Sequence, residues 1–320
     1  MDSAAKWVYI LIIAVILVPF SYIIPGLESE PFTPALALFI GLIFAFTFKN
    51  PFPKFNKKTS KYLLQAAVVG YGFGMNLQES LRSGAEGMSF TIASVCGVML
   101  LGVALGYWLH LERKTAYLIS SGTAICGGSA IAAVGPIVKA NENEMAVSLG
   151  VIFILNALAL FIFPPIGHMV GMSQTQFGTW AAIAIHDTSS VVGAGAAYGP
   201  EAQNIATLIK LTRALWIIPL AFVTMLIFRD KSAKISIPWF IFLFILAMLI
   251  NTYAGLPAAF GATMKFWATK GMVLTLFLIG ASLSLKSIKA VGVKPLVLAV
   301  MLWIAIGVSS FFVVRATIPA

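Results

Sequence analysis

Charged side chains are scarce in this chain. Asp, Glu, Lys and Arg make up 10% of its 320 residues, while 60% are hydrophobic and the mean hydropathy is +0.96. Soluble globular domains carry about 25% charged residues, so this composition excludes a soluble domain of useful size. Apolar runs of about 20 residues recur along the whole length, which predicts an all-α polytopic membrane protein.

Cysteine is also scarce, and nucleotide-binding motifs are missing. Cys96 and Cys126 lie in separate apolar runs with no CxxC pair, so we expect neither a disulfide framework nor a metal site. The sequence contains no Walker motif and no Rossmann glycine fingerprint. We therefore expect no cofactor, no nucleotide-driven pump and no enzyme. The net charge of +10 is concentrated in short loops, which indicates membrane orientation rather than nucleic-acid binding.

We predict about eleven membrane spans in a single transport domain that covers residues 1–320. The spans run approximately over 7–25, 34–48, 62–77, 88–108, 115–139, 145–170, 177–198, 203–228, 237–255, 269–285 and 293–315. No small-residue cleavage site follows the first span, so we interpret it as a retained helix rather than a signal peptide.

Four basic loops orient the predicted spans. Their residues are Lys49, Lys54, Lys57, Lys58 and Lys61; Arg113 and Lys114; Arg229, Lys231 and Lys234; and Lys286, Lys289 and Lys294. The loops predicted on the opposite side hold Glu28, Glu30, Glu142, Glu144 and Glu201, and Lys265 and Lys270 are the main exceptions. The positive-inside rule then predicts a cytoplasmic N-terminus and a C-terminus on the other side.

An ionisable pair stands out in the seventh predicted span. Asp187 is the only one of the 11 acidic residues that does not lie at or beyond the end of an apolar run, and His186 precedes it. Ionisable groups at membrane depth cost roughly 2.5–3.5 kcal/mol on insertion scales and are functional candidates by default. Thr188, Ser189 and Ser190 add hydroxyl ligands for an anion or Na⁺. The alternative is a structural polar network in which Asp187 is a fixed counter-ion.

The fifth predicted span contains a second polar segment. Gly127 and Gly128 weaken the helix near its middle, since Gly costs about 0.8–1.0 kcal/mol relative to Ala. A break there points a half-helix N-terminus, which attracts anions, into the membrane centre. The candidate anion-binding residues are Gly122, Thr123, Cys126, Gly127, Gly128 and Ser129. The alternative is an unbroken helix that uses small residues for close packing.

Two cations lie in the eighth predicted span. Lys210 is near enough to the start of the span to snorkel to the surface. Arg213 lies near the middle and needs a partner, and Asp187 is the only acidic candidate at that depth. Two interpretations stay open: a permanent ion pair, or an Arg213 that exchanges Asp187 for substrate. Asn156, in the sixth predicted span, is expected to be a hydrogen-bonding contact between helices rather than a ligand.

Two pairs of short segments have similar sequences and bear on the symmetry of the fold; we call each pair an echo. Residues 68–77 resemble residues 276–285, and the two predicted spans cross in opposite senses, as an inverted repeat requires. Residues 132–136 resemble residues 196–200, but these predicted spans run in the same sense. The two echoes therefore do not fit one simple inverted duplication.

The polar segments resemble a known family. The strings Gly122 to Ala133 and His186 to Gly193, with Leu211-Thr212-Arg213, resemble the YeiH-type conserved bacterial membrane proteins, a family named for sulfate export. The resemblance covers essentially the whole chain. It implies a multi-pass protein of the bacterial inner membrane, grouped with the cation:proton antiporters and bile-acid:sodium symporters.

The resemblance implies a core with two crossed, discontinuous helices beside a panel. The implied core helices are 62–228 and 269–315, the panel helices are 34–48 and 237–255, and 7–25 is an extra first helix. The first discontinuous helix is the one at Gly127. The second must cross in the opposite sense to span five if the two are related by an inverted repeat, which favours span ten, around Gly280. The polar residues of span seven favour that span instead. The chain departs from the symporters at Asn76, where they usually have glycine, and it lacks the paired aspartates of the antiporters.

These features predict a secondary active transporter, and in one reading an exporter, of a small anion such as sulfate, sulfite or an organosulfonate. Substrate would meet Gly127 to Ser129, Thr188 to Ser190 and Arg213, while His186 and Asp187 would couple H⁺ or Na⁺. The expected partners are the anion, the coupling ion and the bilayer; a homodimer is left open and nucleic acid is not expected. The alternative is a Na⁺/H⁺-type cation antiporter that uses Asp187.

Overall fold

The computed structural model describes residues 2–24, 30–48, 50–78, 88–228, 239–282 and 292–319. Within these ranges the chain is helical and has no β-strand. The helices are α1 Asp2–Leu17, α2 Phe20–Ile23, α3 Pro34–Thr47, α4 Pro53–Gly72, α5 Met88–Trp108, α6 Arg113–Ala124, α7 Gly128–Val134, α8 Glu142–Met169, α9 Gln174–Ala184, α10 Thr188–Tyr198, α11 Pro200–Ala214, α12 Ile217–Phe228, α13 Trp239–Tyr253, α14 Ala258–Ser282 and α15 Val293–Thr317.

The prediction of an all-α membrane protein is confirmed. Among the described residues, five helical stretches are long and apolar enough to cross a membrane: Thr91–Trp108, Glu142–Met169, Pro200–Phe228, Ala259–Ser282 and Val293–Thr317. Three shorter apolar helices are Ala4–Leu17, Pro34–Thr47 and Trp239–Tyr253. Several residues used to orient the spans lie outside the described residues: Glu28, Lys49, Arg229, Lys231, Lys234, Lys286 and Lys289, and so does the end of the echo at 283–285.

The described residues form two compact units. The first contains those of Met1–Leu77 and Phe240–Leu285, and the second those of Gln78–Trp239 and Lys286–Ala320. The grouping of the spans into core and panel helices stays a prediction.

In the first unit, α14 packs against α3 and α4. Asn56 donates from Nδ2 to the Ser282 hydroxyl at 3.3 Å, and near the other end of the pair Lys265 lies beside Gly74. Helices α4 and α14 therefore run antiparallel, as the inverted repeat predicted from residues 68–77 requires. The repeat itself stays a prediction.

A buried lysine fixes the first helix to this unit. Lys270 of α14 donates from Nζ to the carboxylate of Glu30 at 2.6 Å and to the carbonyl oxygens of Ile16 at 3.1 Å and Val18 at 2.6 Å. These three bonds use all three ammonium donors. Lys270, one of the two basic residues that do not fit the predicted orientation, thus has a structural role at the end of α1.

In the second unit, the fifth predicted span is a helical hairpin rather than a crossing. Helix α6 ends at Ala124, and α7 returns along it, with Ile131 packed on Gly122. At the open end, Lys114 Nζ donates to the carbonyl oxygen of Lys139 at 2.8 Å. We call residues 113–139 the first hairpin. The prediction that 115–139 crosses the membrane is therefore wrong, because both ends of the segment lie together.

The seventh predicted span folds back in the same way. The rings of Phe177, near the start of α9, and Tyr198, at the end of α10, stack with centroids 3.8 Å apart. The Glu201 N–H donates to Gln174 Oε1 at 3.0 Å. We call residues 174–198 the second hairpin, and its predicted crossing over 177–198 is likewise wrong.

The two hairpins open at opposite ends of α8. The first hairpin precedes Glu142 and the second follows Met169, and the 28 residues of α8 span about 42 Å between them. The echo between 132–136 and 196–200 therefore joins hairpin arms that run in opposite senses. Both echoes become compatible with inverted symmetry, because the hairpins remove the parity conflict.

Candidate functional site

The tip of the first hairpin is the turn from Ile125 to Gly127. Gly127 has φ +64°, a conformation that side chains rarely adopt, and its N–H donates to the Gly122 carbonyl at 2.8 Å. Helix α7 begins at the next residue, Gly128. The predicted break at Gly127 and Gly128 is present in the structure.

The tip of the second hairpin is the turn from Ile185 to Asp187. Asp187 is the N-cap of α10, and its Oδ2 accepts from the Ser189 N–H at 3.1 Å and from the Ser189 hydroxyl. Carboxylates are preferred caps because the first N–H groups of a helix have no intrahelical acceptor. The second discontinuous segment is therefore span seven, as polarity predicted. The alternative break in span ten, around Gly280, is not present, because α14 continues through Gly280 to Ser282, the last described residue of that span.

The two tips touch each other against α8. A Cβ atom placed on Gly127 would lie 3.4 Å from the carbonyl carbon and oxygen of His186 and 3.1 Å from Cγ2 of Ile152. Ile152 is near the middle of α8. The hairpins, which enter from opposite ends, thus meet halfway along this helix.

Lys210 closes the C-terminal end of α9. Its Nζ donates to the carbonyl oxygens of Ile185 at 2.7 Å and Ala182 at 3.3 Å. The last carbonyls of a helix have no intrahelical donor and carry partial negative charge, which an ammonium stabilises. The side chain has no exposed surface, so the snorkelling considered for Lys210 is wrong.

Arg213 closes the C-terminal end of α6. Its Nη2 donates to the Ala124 carbonyl at 2.6 Å, and its Nη1 donates to the Ser94 hydroxyl of α5 at 3.0 Å. Arg213 lies three residues after Lys210, so both point from one face of α11. One helix therefore supplies a buried cation to each hairpin.

A permanent ion pair between Asp187 and Arg213, one of the two interpretations left open by the sequence, is not present in the structure. In the described part of the chain, no ion pair joins the two residues. Two donors of the guanidinium are directed to Ala124 and Ser94, while Asp187 caps its own helix. The Ala124 carbonyl and the Ser94 hydroxyl are thus the observed partners of the arginine, whose Nε has no hydrogen bond among the described residues.

Buried polar atoms without hydrogen bonds collect around the tips. Within the described ranges, those with no partner include Thr123 Oγ1, Ser148 Oγ, Asn156 Nδ2, both ring nitrogens of His186 and Nε of Arg213. Native interiors contain few such groups, and each calls for an explanation. Their concentration makes the hairpin tips the candidate functional site.

Comparison with known proteins agrees with the resemblance seen in the sequence. Residues 8–299 match the protein family described as Conserved hypothetical protein 698. The chain belongs to this family. A UPF0324 membrane protein of Bacteroides thetaiotaomicron is 63% identical over 292 residues, which cover 90% of this chain and 88% of the relative.

Other relatives in the family are also membrane proteins. A UPF0324 membrane protein of Porphyromonas gingivalis is 57% identical over 87% of this chain and 86% of the relative. Another, from Photobacterium profundum, is 46% identical over 78% of this chain and 77% of the relative. No solved structure matches the chain.

In this family member, the predicted site residues fall on the two tips or the helices beside them. Gly122, Thr123, Cys126, Gly127, Gly128 and Ser129 belong to the first hairpin; His186, Asp187, Thr188, Ser189 and Ser190 belong to the second; and Arg213 faces the first from α11. Ser129 is exposed and Asp187 half-buried, whereas Cys126, His186 and Arg213 are buried. The tips thus have a polar rim in front of a buried polar interior.

Sequence reasoning did not assign Lys210, Asn156 or Ser94 to the site. Lys210 is signalled by its spacing of three residues from Arg213, and Asn156 by its amide in an apolar span. Ser94 had no signal, because only the fold brings α5 to the guanidinium. Among the described residues, no three His, Cys, Asp or Glu side chains form a group that could hold a metal ion.

Proposed function

We propose that this protein is a secondary active transporter of a small anion, coupled to H⁺ or Na⁺, with its site at the meeting hairpin tips. Sulfate, sulfite and organosulfonates are the substrates to test first. The curated relatives above are bacterial membrane proteins, and we place this chain in the bacterial inner membrane. The proposal assigns no catalytic chemistry to the site.

The balance of buried charge carries the proposal. Two cations, Lys210 and Arg213, have at most 1% of their surface exposed, and Asp187 is the one carboxylate at the tips. Arg is charged at every physiological pH. With Lys210 in its ammonium form, the tips hold one excess positive charge. An uncompensated buried charge costs about 3–5 kcal/mol, so an anion that enters the tips is favoured.

Each tip residue has a role in this proposal. The N–H groups of Gly128 and Ser129, which follow the turn at Gly127, and the hydroxyls of Thr188 and Ser190 contact the anion, and Arg213 supplies the charge. The Gly127 N–H and the Ser189 hydroxyl hold the two turns in place by bonding to Gly122 and Asp187. Asp187 competes with the anion for the same positive field, so its protonation or its binding of Na⁺ couples the ion to substrate. His186, in the second tip where it contacts Gly127 of the first, contributes to the same coupling.

The charges at the hairpin bases support the proposed orientation. Three basic residues, Arg113, Lys114 and Lys139, lie at the base of the first hairpin, whereas Arg315 and Glu201 lie near the base of the second. Glu142 and Glu144, at the start of α8, share the base of the first hairpin, so the prediction that they lie on the opposite side from Arg113 and Lys114 is wrong. By the positive-inside rule the first hairpin opens to the cytoplasm. The N-terminus is then cytoplasmic and the C-terminus periplasmic.

The test is flux in proteoliposomes for wild-type protein and Asp187→Asn. Asn caps helices as well as Asp does, so the variant is expected to keep its melting temperature. We expect it to lose the dependence of anion flux on the pH or Na⁺ gradient. Glu201→Gln, which alters a carboxylate at a hairpin base, is the matched control and should transport normally.

Two outcomes would contradict the proposal. Wild-type pH dependence in Asp187→Asn would remove Asp187 from coupling. A pH change on adding Na⁺ to vesicles without any transportable anion would favour the cation antiporter instead.

A further inference from the structure

Asn156 holds the second hairpin tip to α8. Its Oδ1 accepts from the backbone N–H of Asp187 at 3.1 Å, and only 3% of its surface is exposed. Because a backbone N–H can only donate, the atom that meets it is the amide oxygen. This bond fixes which side of the amide carries the nitrogen.

The amide nitrogen of Asn156 has no acceptor among the described residues. It carries two N–H donors and cannot accept. Buried donors without acceptors are rare in native proteins, since folding otherwise leaves them desolvated and unpaired. The amide oxygen is fixed by one hydrogen bond, while the amide nitrogen has no partner in the described part of the chain. Such an amide is suited to donate to a ligand.

The neighbouring unpartnered groups require the same type of ligand. Nε of Arg213 is a donor only, and the His186 ring offers at least one donor in either protonation state. These donors come from α11 and from the second tip, and Asn156 comes from α8. A ligand that satisfies them presents several acceptor atoms, as an oxyanion does.

We propose that Asn156 contacts the substrate and determines specificity, donating from Nδ2 to an oxygen of a sulfate- or sulfonate-type anion. The inference rests on the proposed anion transport and names the substrate class and a further binding residue for that site. At Asn156, Arg213 and His186 a ligand meets hydrogen-bond donors, whose partial positive charge disfavours a cation.

Binding to the detergent-purified full-length protein tests the proposal. The melting temperature is titrated with sulfate and methanesulfonate as N-methylglucamine salts, with chloride at equal ionic strength as the comparison anion. Asn156→Asp replaces the donor with an oxygen and keeps the acceptor for Asp187. Loss of a hydrogen bond to a charged group predicts an apparent Kd for sulfate weaker by roughly ten- to hundred-fold.

Two further variants separate binding from folding. Asn251→Asp is the matched control, because its amide nitrogen already donates to the Met75 carbonyl at 3.2 Å in the other unit, and it should keep the wild-type Kd. Asn156→Ser removes the amide donor without adding charge. It should weaken sulfate binding in the same direction, also if Asn156→Asp does not fold.

The outcomes distinguish this inference from the proposed function. Wild-type sulfate affinity in a folded Asn156 variant overturns the role of Asn156 while anion transport stands. Equal stabilisation by chloride and sulfate overturns the oxyanion class. If Na⁺ stabilises the wild-type protein and no anion does, the proposed function fails and the inference fails with it.

Discussion

Labelling of single cysteines from each face of the membrane would test the hairpin topology directly. Helix α6 has 12 residues and is about 18 Å long, whereas the hydrocarbon core of a bilayer is about 30 Å thick. The Lys114 Nζ donates to the carbonyl oxygen of Lys139 at 2.8 Å. If residues 113–139 crossed the membrane, these two positions would lie on opposite faces. In the hairpin they share one face.

The assay uses a background in which Cys96 and Cys126 are replaced by serine. Lys114→Cys and Lys139→Cys are each treated with a membrane-impermeant maleimide in right-side-out and inside-out vesicles. We expect both cysteines to react in the same type of vesicle. Thr175→Cys, at the base of the second hairpin, is expected to react only in the other type.

A matched pair checks the second hairpin. The Thr175 hydroxyl donates to Glu201 Oε1 at 2.9 Å, so Glu201→Cys should react from the same face as Thr175→Cys. Opposite accessibility within either pair would refute the hairpin. Accessibility of all four positions from one face would refute entry of the hairpins from opposite sides. Each variant must elute from size-exclusion chromatography as wild type does before labelling is interpreted.

Three other predictions concern stability and binding. Gly127→Ala should destabilise the protein by about 1–3 kcal/mol, because its φ of +64° is strained for alanine; an unchanged melting temperature would contradict the tip geometry. Arg213→Met should abolish anion stabilisation, whereas Arg213→Lys should keep part of it, because lysine retains the charge but not the fork of donors. For Glu30, burial raises the pKa of the carboxyl, but the hydrogen bond from Lys270, the two hydrogen bonds from the Ser21 hydroxyl and N–H, and the charge of Lys270 together outweigh it and hold that pKa below its usual value. The ion pair therefore stabilises above about pH 4.3 and is lost as the pH falls through the lowered pKa. The melting temperatures of wild type and Glu30→Gln should differ at about pH 6 and converge in acid, and a constant difference would contradict the pairing.

Much of the fold could be predicted because residues that span a bilayer are predominantly apolar, so runs of high hydropathy indicate the spans. The predicted spans overlap the observed helices or helix pairs, although α4 begins at Pro53 rather than 62 and α14 at Ala258 rather than 269. Both polar segments coincide with helix breaks. Composition excluded a soluble protein for the same reason. The break at Gly127 could be predicted because glycine weakens a helix wherever it occurs.

Hydropathy could not predict whether each broken segment crosses the membrane once or folds back as a hairpin. A run of about 25 apolar residues fits one crossing or two short arms equally well, since both bury the same side chains. The difference depends on contacts between distant residues, such as Lys114 with Lys139. The partner of Arg213 was missed for a related reason: carbonyl groups at a helix end act as partial charges, but no residue letter reports them.

The placement of both cations on one face of α11 constrains how the tips can open. Separating α11 from either hairpin would leave Lys210 or Arg213 without its helix-end carbonyls in apolar surroundings, and an unpaired buried charge is strongly unfavourable. Both tips are thus fastened to one helix, and also to each other through the contact of Gly127 with His186. In the proposed transport, access to the site therefore changes at the rim, where Ser129 is exposed and Asp187 half-buried. Asp187 lies at that rim and caps α10, and because asparagine can replace it as a cap, Asp187→Asn changes the charge at the entrance while it keeps the cap.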